Sequence, residues 1–445
     1  MYKLNSFSIK RTNYIFFNSE NNAKLFDLIF LYIFLIGLYT GIFYYFKEEG
    51  KFIPFVICGF CAPVFFLRNI RKINIHEMVP LWLIYVITFI GMLFSPDSSI
   101  YFTERTKGLI QLIYASLSGF FFYIHLLRFS KQQLEKIFLY CLLLILSGAF
   151  LERHVLPFKN MSDEFRIFFF RVGFYDNNLR DLFLYGGERV KLFTSEPSHV
   201  AKFFILSLFT WFTLTYNKNK FFLLFLFTTI GIFLIRSPII ILICPLVLLT
   251  EIFLYKKIDI NALIKQNKSL LSTSLIFFIV ISGIVVVVFL LTFLAARLET
   301  ISQGVDESFI IRITGAWQNA FATIREYPYF GAGISGKEAI EDIIRNTFFD
   351  MNVQNYTLYA FSTNFICEFI IYYGIVGGGL FILSFYHFLN RLKISNKIFF
   401  VLTLFIFSQT MGAMMSIRVW GYLAIILYIS SLNYSSLERL KQAKR

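Results

Sequence analysis

The residues most capable of chemistry in this chain are one hexapeptide and a set of arginines. Thr194-Ser195-Glu196-Pro197-Ser198-His199 places an acid and an imidazole three residues apart, just ahead of a long apolar run. Pro197 suits the first turn of a helix and Ser195 can cap it, so those two have a structural explanation. Glu196 and His199 do not. An ionisable side chain at a membrane boundary is a candidate functional group, and either residue could take a proton from a hydroxyl. The structural alternative is an acid that pairs with a loop arginine. The arginines are Arg153, Arg166, Arg171, Arg180 and Arg189 ahead of the hexapeptide, Arg297 and Arg312 in a later polar stretch, Arg236 between two apolar runs, and Arg418 at the start of the last run. A guanidinium grips phosphate oxygens with a planar fork that lysine lacks, so these positions point to an anionic, phosphate-bearing substrate, with Arg297 and Arg312 foremost. Arg236 and Arg418 have a second reading as interface anchors that snorkel toward water.

Other chemistries find little support. No zinc-protease, paired-carboxylate-loop or phosphate-loop motif occurs, and His76, His125, His154, His199 and His387 are widely scattered, so neither a metal site nor a cofactor is expected. Cys58-Gly-Phe-Cys61 has the gap of a redox or zinc pair but no second pair, and with Cys141, Cys244 and Cys367 it reads as small apolar packing. Gly331-Ala-Gly333-Ile-Ser-Gly336 has the letters of a dinucleotide fingerprint. No strand precedes it, so a flexible turn leading back to the bilayer is the expectation.

The elements that must position these residues are membrane helices. With 57% hydrophobic, 20% aromatic and 16% charged residues, the 445-residue chain lacks the polar skin of a soluble fold. The apolar runs predict an all-α polytopic membrane protein of about twelve spans forming one domain over residues 1–445. They fall at roughly 26–46, 52–68, 78–94, 108–127, 134–152, 198–216, 220–236, 238–255, 270–296, 361–389, 396–413 and 417–433. The net charge of +15 is no sign of nucleic-acid binding, because Lys and Arg gather in alternate short loops: Arg68, Arg71 and Lys72; Arg128, Lys131 and Lys136; Lys218 and Lys220; Arg391, Lys393 and Lys397. The positive-inside rule makes that side cytoplasmic, with both termini there and no cleavable leader. Two long loops then face the other side, at 153–197 and 297–360. The second should hold an amphipathic helix at about Ser308–Glu326, with Phe309, Ile313, Trp317, Ala320 and Ile324 on its apolar face and Arg312, Gly315, Asn319 and Thr323 opposite, ended by Pro328.

Four features resemble the superfamily of bacterial O-antigen polymerases and O-antigen ligases, the polymerase (Wzy-type) branch most of all. They are Ser195-Glu196-Pro197-Ser198-His199 opening a span; the break Arg236-Ser237-Pro238; the outer loop with Arg297, Arg312, Trp317, Ala320, Pro328, Gly331 and Gly333; and Asn364 followed by Tyr373-Gly374-Ile375-Val376-Gly377. Together they cover roughly residues 190–380. The ligase branch usually carries a histidine just before the position of Asn364, where this chain has Thr363.

The resemblance implies a bundle of the kind seen in membrane glycosyltransferases that use lipid-linked sugars. It implies joining of oligosaccharide repeat units carried on undecaprenyl pyrophosphate, at the periplasmic face of the bacterial inner membrane, without a cofactor or metal. It also implies membrane lipid and a possible inner-membrane chain-length regulator as partners, and no nucleic acid. Glu196, His199 and Arg312 are the expected catalytic groups. Arg297, Arg312, Arg171, Arg236, Arg166, Arg418 and Asn364 are the expected contacts to pyrophosphate or glycan. The rivals are a ligase that moves finished polymer to another acceptor, and a flippase or transporter of lipid-linked oligosaccharide. A flippase should show internal repeats and charges along a path to both sides, and the sequence shows neither.

Overall fold

The computed structural model describes residues 25–45, 52–170, 175–254, 295–304, 306, 309–351 and 364–432. Their regular secondary structure is helical except for one two-residue antiparallel bridge, Tyr44–Tyr45 with Phe52–Ile53. The helices are α1 Leu25–Thr40, α2 Val56–Asn69, α3 Ile75–Phe94, α4 Phe102–Leu126, α5 Lys131–His154, α6 Leu156–Phe170, α7 Asn178–Tyr185, α8 Pro197–Leu214, α9 Lys220–Ile235, α10 Ile243–Leu249, α11 Ala295–Ser302, α12 Gly315–Glu326, α13 Glu341–Asp350, α14 Phe365–Arg391, α15 Lys397–Ser408 and α16 Ile417–Ser431.

Four of them, α3, α4, α5 and α14, are long and apolar enough to cross a membrane by length and composition. Shorter apolar helices stand where the first, second, seventh, eighth, eleventh and twelfth runs were expected. The expected ninth run, 270–296, lies almost wholly outside the described residues. The eighth is not one helix. It breaks into a 3₁₀ turn at Pro238–Leu242, α10, and a π turn at Thr250–Leu254. Along α3 the large side chains Trp82, Leu83, Val86, Phe89 and Leu93 are exposed, an apolar surface that only a lipid phase would tolerate at this extent.

The centre of the bundle is α8 and α16. From Val200 to Leu214 every residue of α8 is buried, and so is all of α16 from Ile417 to Ser430. Helices apolar on all sides belong in such positions. Helix α4 packs on α16, α5 on α8 and α3 on α14.

Both long polar stretches contain helices. The first was expected as a loop, yet α6 and α7 form within it, each with a greasy outer face: Ile167 and Phe168 on α6, Leu179, Leu182 and Phe183 on α7. In the second, helix runs to Glu326 as expected, but the buried face is not the one expected. Gly315, Ala316, Asn319, Ala320 and Thr323 are buried, while Phe309, Ile313, Trp317 and Ile324 are only partly covered. Two physical causes are visible. The small residues let α12 lie close against α14. A π turn at Ile310–Thr314 also inserts a residue and rotates the α12 face relative to the turn that carries Arg312.

The glycine-rich stretch 331–336 forms turns, as expected, and together with Pro328 and Tyr329 just before it packs against a break in α14. At Gly374 the helix leaves helical geometry (φ 59, ψ −158), and the freed amides of Ile375, Val376 and Gly377 bond to the carbonyls of Pro328 and Tyr329 at 2.8–3.1 Å. Ala332 N–H returns the favour to Ile371 O at 2.8 Å. Gly331 has φ +61, and a Cβ there would stand 2.2 Å from Ile371 O, so no other residue fits. Broken helical backbone inside an apolar bundle is sustained only when protein groups satisfy it, as here.

Candidate functional site

The hexapeptide sits at the head of α8, held there by neighbouring helices. Glu152 at the end of α5 accepts bonds from Lys191 N–H (2.8 Å), Leu192 N–H (2.6 Å) and Ser162 Oγ (3.0 Å). Ser162 Oγ in turn accepts from Phe193 N–H at 3.1 Å. These contacts stabilise a turn in which Leu192 (φ 36) and Phe193 (φ 61) both adopt the left-handed region that side chains disfavour. Arg166 of α6 is 2% exposed and donates to Thr194 O (2.9 Å), to Tyr175 O, and to Asp163 (2.7 Å). It was expected on the substrate; the structure uses it as a strut, because its donors already meet two backbone carbonyls and a carboxylate.

The cap of α8 also differs from expectation. The capping position is Glu196, with Pro197 at the first helical residue, and Glu196 makes no side-chain cap bond. Ser195 Oγ does not cap either; it lies 3.1 Å from His199 Nδ1. The Glu196 carboxylate is therefore turned away from the helix. It accepts from Ser198 Oγ at 2.8 Å and stands 4.0 Å from the Arg312 guanidinium. Burial works to raise this carboxyl, but Arg312, Lys202 and the Ser198 hydroxyl outweigh it and hold it below its ordinary value.

Glu196 opens on a cleft with a volume of ≈ 320 Å³ including its mouth. Four arginines line it: Arg180, Arg189, Arg297 and Arg312, with Tyr175, Tyr185, Pro197 and Ser198 completing the wall. They come from both long polar stretches. Asp306 joins three of the elements. It accepts from Phe309 N–H (2.7 Å), starting the helical segment that carries Arg312, and it meets Arg297 at 3.1 Å and Arg180 at 4.0 Å. Arg297 also donates to Tyr185 Oη at 2.5 Å. Arg189 is fixed by the fully buried Asp181 (2.8 Å) and lies over the Tyr185 ring, 4.4 Å from its centre. Burial opposes its charge, but Tyr185 and Asp181 more than offset that and raise it further. Four guanidinium groups against Glu196, Asp181 and Asp306 leave the cleft cationic.

The other expected contacts surround this cleft rather than line it. Arg236 donates to Tyr185 O at 3.3 Å from the end of α9, and Gly187 lacks a side chain where a Cβ would meet that guanidinium. Arg418 donates to Leu38 O (3.2 Å) and Tyr39 O (3.4 Å). Asn364 caps α14 through Ile366 N–H (3.0 Å) and Cys367 N–H (3.4 Å), and its amide meets Gln409 Oε1 (3.0 Å) and Arg312 O (3.4 Å). Each supports backbone next to the site. Arg171 and Thr363 lie outside the described residues. Sequence reasoning noted Arg180 and Arg189 without choosing them, and it missed Asp181, Asp306 and Tyr185. The signal was there in Asp181 and Arg189, two charges eight residues apart around Gly186-Gly187.

Residues 221–382 match a family model described as O-Antigen ligase. That stretch carries Arg297, Arg312 and Asn364 and ends inside α14, and it supports a membrane function of the O-antigen ligase and polymerase type. No curated relative and no solved structure matches the chain.

Proposed function

We propose that this protein is a polysaccharide polymerase. It joins oligosaccharide repeat units carried on undecaprenyl pyrophosphate at the outer face of a bacterial inner membrane, with its termini in the cytoplasm. The observation that carries this reading is the meeting of Arg180, Arg189, Arg297 and Arg312 around the uncapped carboxylate of Glu196. A glycosyl diphosphate places its charge on the leaving group. As the acceptor hydroxyl oxygen attacks the anomeric carbon, the bond from that carbon to the diphosphate oxygen breaks, and the electron pair leaves with the diphosphate. Fixed guanidinium groups stabilise that growing charge without a metal. The hydroxyl proton passes to Glu196, which is ionised and within reach of the cleft. His199, bonded through Nδ1 to Ser195, is the alternative base.

The ligase reading has one observation in its favour, the description of the matching family. Deletion of the gene followed by gel analysis of surface polysaccharide separates the two. Single repeats accumulating on the carrier support the polymerase; long polymer stranded on the carrier supports the ligase; unchanged polysaccharide sinks both. Polymer synthesis in vitro with EDTA tests the metal-free chemistry. Reporter fusions after Lys220 and Lys397 should report cytoplasm, and one at Lys337 the outer side.

A further inference from the structure

Helix α7 carries Arg180 into the cleft wall, and its two faces are reversed from those of a helix in water. Inward it turns Asp181 and Tyr185, both buried beside Leu184, while Arg180 lines the cleft. Outward it presents Leu179, Leu182 and Phe183, which are 83%, 57% and 70% exposed. They stand three and four residues apart, on one face, and they are the three exposed residues of the helix. Single apolar side chains on a surface need no explanation, but a face made only of large ones marks a contact.

The elements that hold α7 say what covers that face. Its last residue is tied to the end of the apolar helix α9, where Arg236 donates to Tyr185 O at 3.3 Å. The chain that follows is tied to the end of α5, where Glu152 accepts from Lys191 N–H at 2.8 Å and Leu192 N–H at 2.6 Å. Along its side α7 packs on α11, whose first two residues close the expected ninth apolar run. The helix thus sits where three apolar runs end, which is the level of a bilayer surface. Each of the three elements carries exposed apolar side chains near that end: Phe150 and Leu151 on α5, Phe233 on α9 and Leu298 on α11. The outward face of α7 continues the surface that the spans give to lipid.

We propose that α7 is seated in the lipid interface, with Leu179, Leu182 and Phe183 at the boundary of headgroups and acyl chains, and that this seating sets the cleft wall made by Arg180 and Arg189. An interfacial helix of this kind buries its apolar face by ~5–10 Å. The link to the cleft runs through neighbouring residues: Arg180 is on α7, and the buried Asp181 beside it holds Arg189 at 2.8 Å. The bilayer surface is then a partner of the protein beyond its spans, and two of the four cleft arginines are set against it. The inference holds whatever reaction the cleft performs.

The test uses the full chain in phosphatidylcholine nanodiscs, with Phe183→Trp as the reporter. The unsubstituted protein, with Trp82, Trp211, Trp317 and Trp420, gives the background. Leu179→Trp repeats the measurement one turn away. The added tryptophan should lose fluorescence to acyl-brominated lipid, more with bromine near the headgroup than near the chain end, and should be sheltered from iodide in the water. Quenching by iodide but not by brominated lipid would put α7 in water and overturn the proposal. Shelter from both quenchers would mean that protein covers the face, a second copy or another partner, and would overturn it as well. The positioning half is read by hydrogen exchange. Leu179→Ser, Leu182→Ser and Phe183→Ser together should speed exchange of the amides at 178–189 by ~10-fold in nanodiscs, with α8 unchanged. Unchanged exchange at 178–189 would mean that protein contacts alone hold α7. Faster exchange that includes α8 would make these side chains part of the fold. Either result overturns the positioning role.

Discussion

Two clusters of arginine and carboxylate, one near each end of the helical bundle, behave differently. About 18 Å down α1 from Tyr39, Asp27 is fully buried and meets Arg68 through both oxygens at 3.1 and 3.3 Å and Arg128 at 3.1 Å. His125 Nε2 closes on the Asp27 carbonyl at 3.1 Å, and Arg128 also reaches Asn69 at 3.3 Å. Every contact ties α1, α2 and the end of α4 to one another. At the other end Arg312 stands 4.0 Å from Glu196, the carboxylate side chain is 43% exposed, and a cleft separates the partners from further protein. Arginine and carboxylate thus form a lock where they are packed against one another, and a receptor where space is left open beside them. Ion pairing by itself identifies neither, and each cluster has one guanidinium more than its carboxylates; the open space is what differs.

The sharpest break in this comparison is Arg312→Ala. It should lower polymer synthesis by ~10³-fold with protein level and unfolding temperature little changed, since an arginine at a charge-developing oxygen acts on the transition state. Arg312→Lys should recover little of it, for want of the planar fork. Full activity of either variant in a purified assay would contradict the cleft assignment.

Asp27→Asn should do the reverse. It leaves Arg68 and Arg128 without their counter-charge at a cost of order 3 kcal/mol, read as a lower unfolding temperature and poorer yield, while kcat per folded molecule stays near wild type. A selective loss of kcat would mean that the lock is also part of the reaction path.

Next in size is Glu196→Gln, which keeps the shape but removes proton acceptance and should cost ~10²-fold in kcat. If Gln is tolerated and only Ala is harmful, Glu196 serves to hold Arg312, and His199→Ala becomes the decisive variant.

Ser162→Ala removes one support of the strained Leu192–Phe193 turn. It should lower kcat by ~10-fold through misplacement of Glu196, with KM for the lipid-linked donor nearly unchanged.

The smallest effect is on pH. The Glu196 carboxyl is depressed in the folded protein, so its attraction to Arg312 is present above the unfolded value and lost as pH falls through the folded one. The acid limb of kcat/KM should therefore lie below pH 4.5, the ordinary value for this carboxyl. Ser198→Ala, which takes away one stabilising hydrogen bond, should move that limb upward toward it. An acid limb near neutrality would instead point to His199.

Legibility in the sequence followed the range of the interactions. Helix α5 was readable to within a few residues, since an apolar run of that length has one outcome in a bilayer. The start of α8 was readable from Pro197, whose fixed φ allows the first turn of a helix and little else. Arg297, Arg312 and Glu196 were readable as a group, because charge set against an apolar background demands a reason. Arg166, Arg418 and Asn364 looked the same in sequence and lie against backbone carbonyls outside the cleft wall. Whether a guanidinium faces a cleft or a carbonyl depends on which helix end lies beside it. Nothing local encodes that.

What the sequence determined alone is a helical chain rich in membrane-length apolar runs, with two polar stretches carrying arginines and one acid at a helix start. Those follow from hydropathy, charge and backbone stereochemistry, which act within a few residues. What tertiary structure decided is everything that depends on two segments meeting. It buried the small-residue face of α12, because close approach to α14 favours Gly315, Ala316 and Ala320 over bulk. It set the segment Pro328–Gly336 against a broken helix, where the amides freed at Gly374 find carbonyls at Pro328 and Tyr329 and Ala332 N–H meets Ile371 O. And it brought Arg180 and Arg189 to the same cleft as Arg297 and Arg312, where Asp306 meets Arg180 of the other stretch at 4.0 Å and Arg297 donates to the Tyr185 hydroxyl.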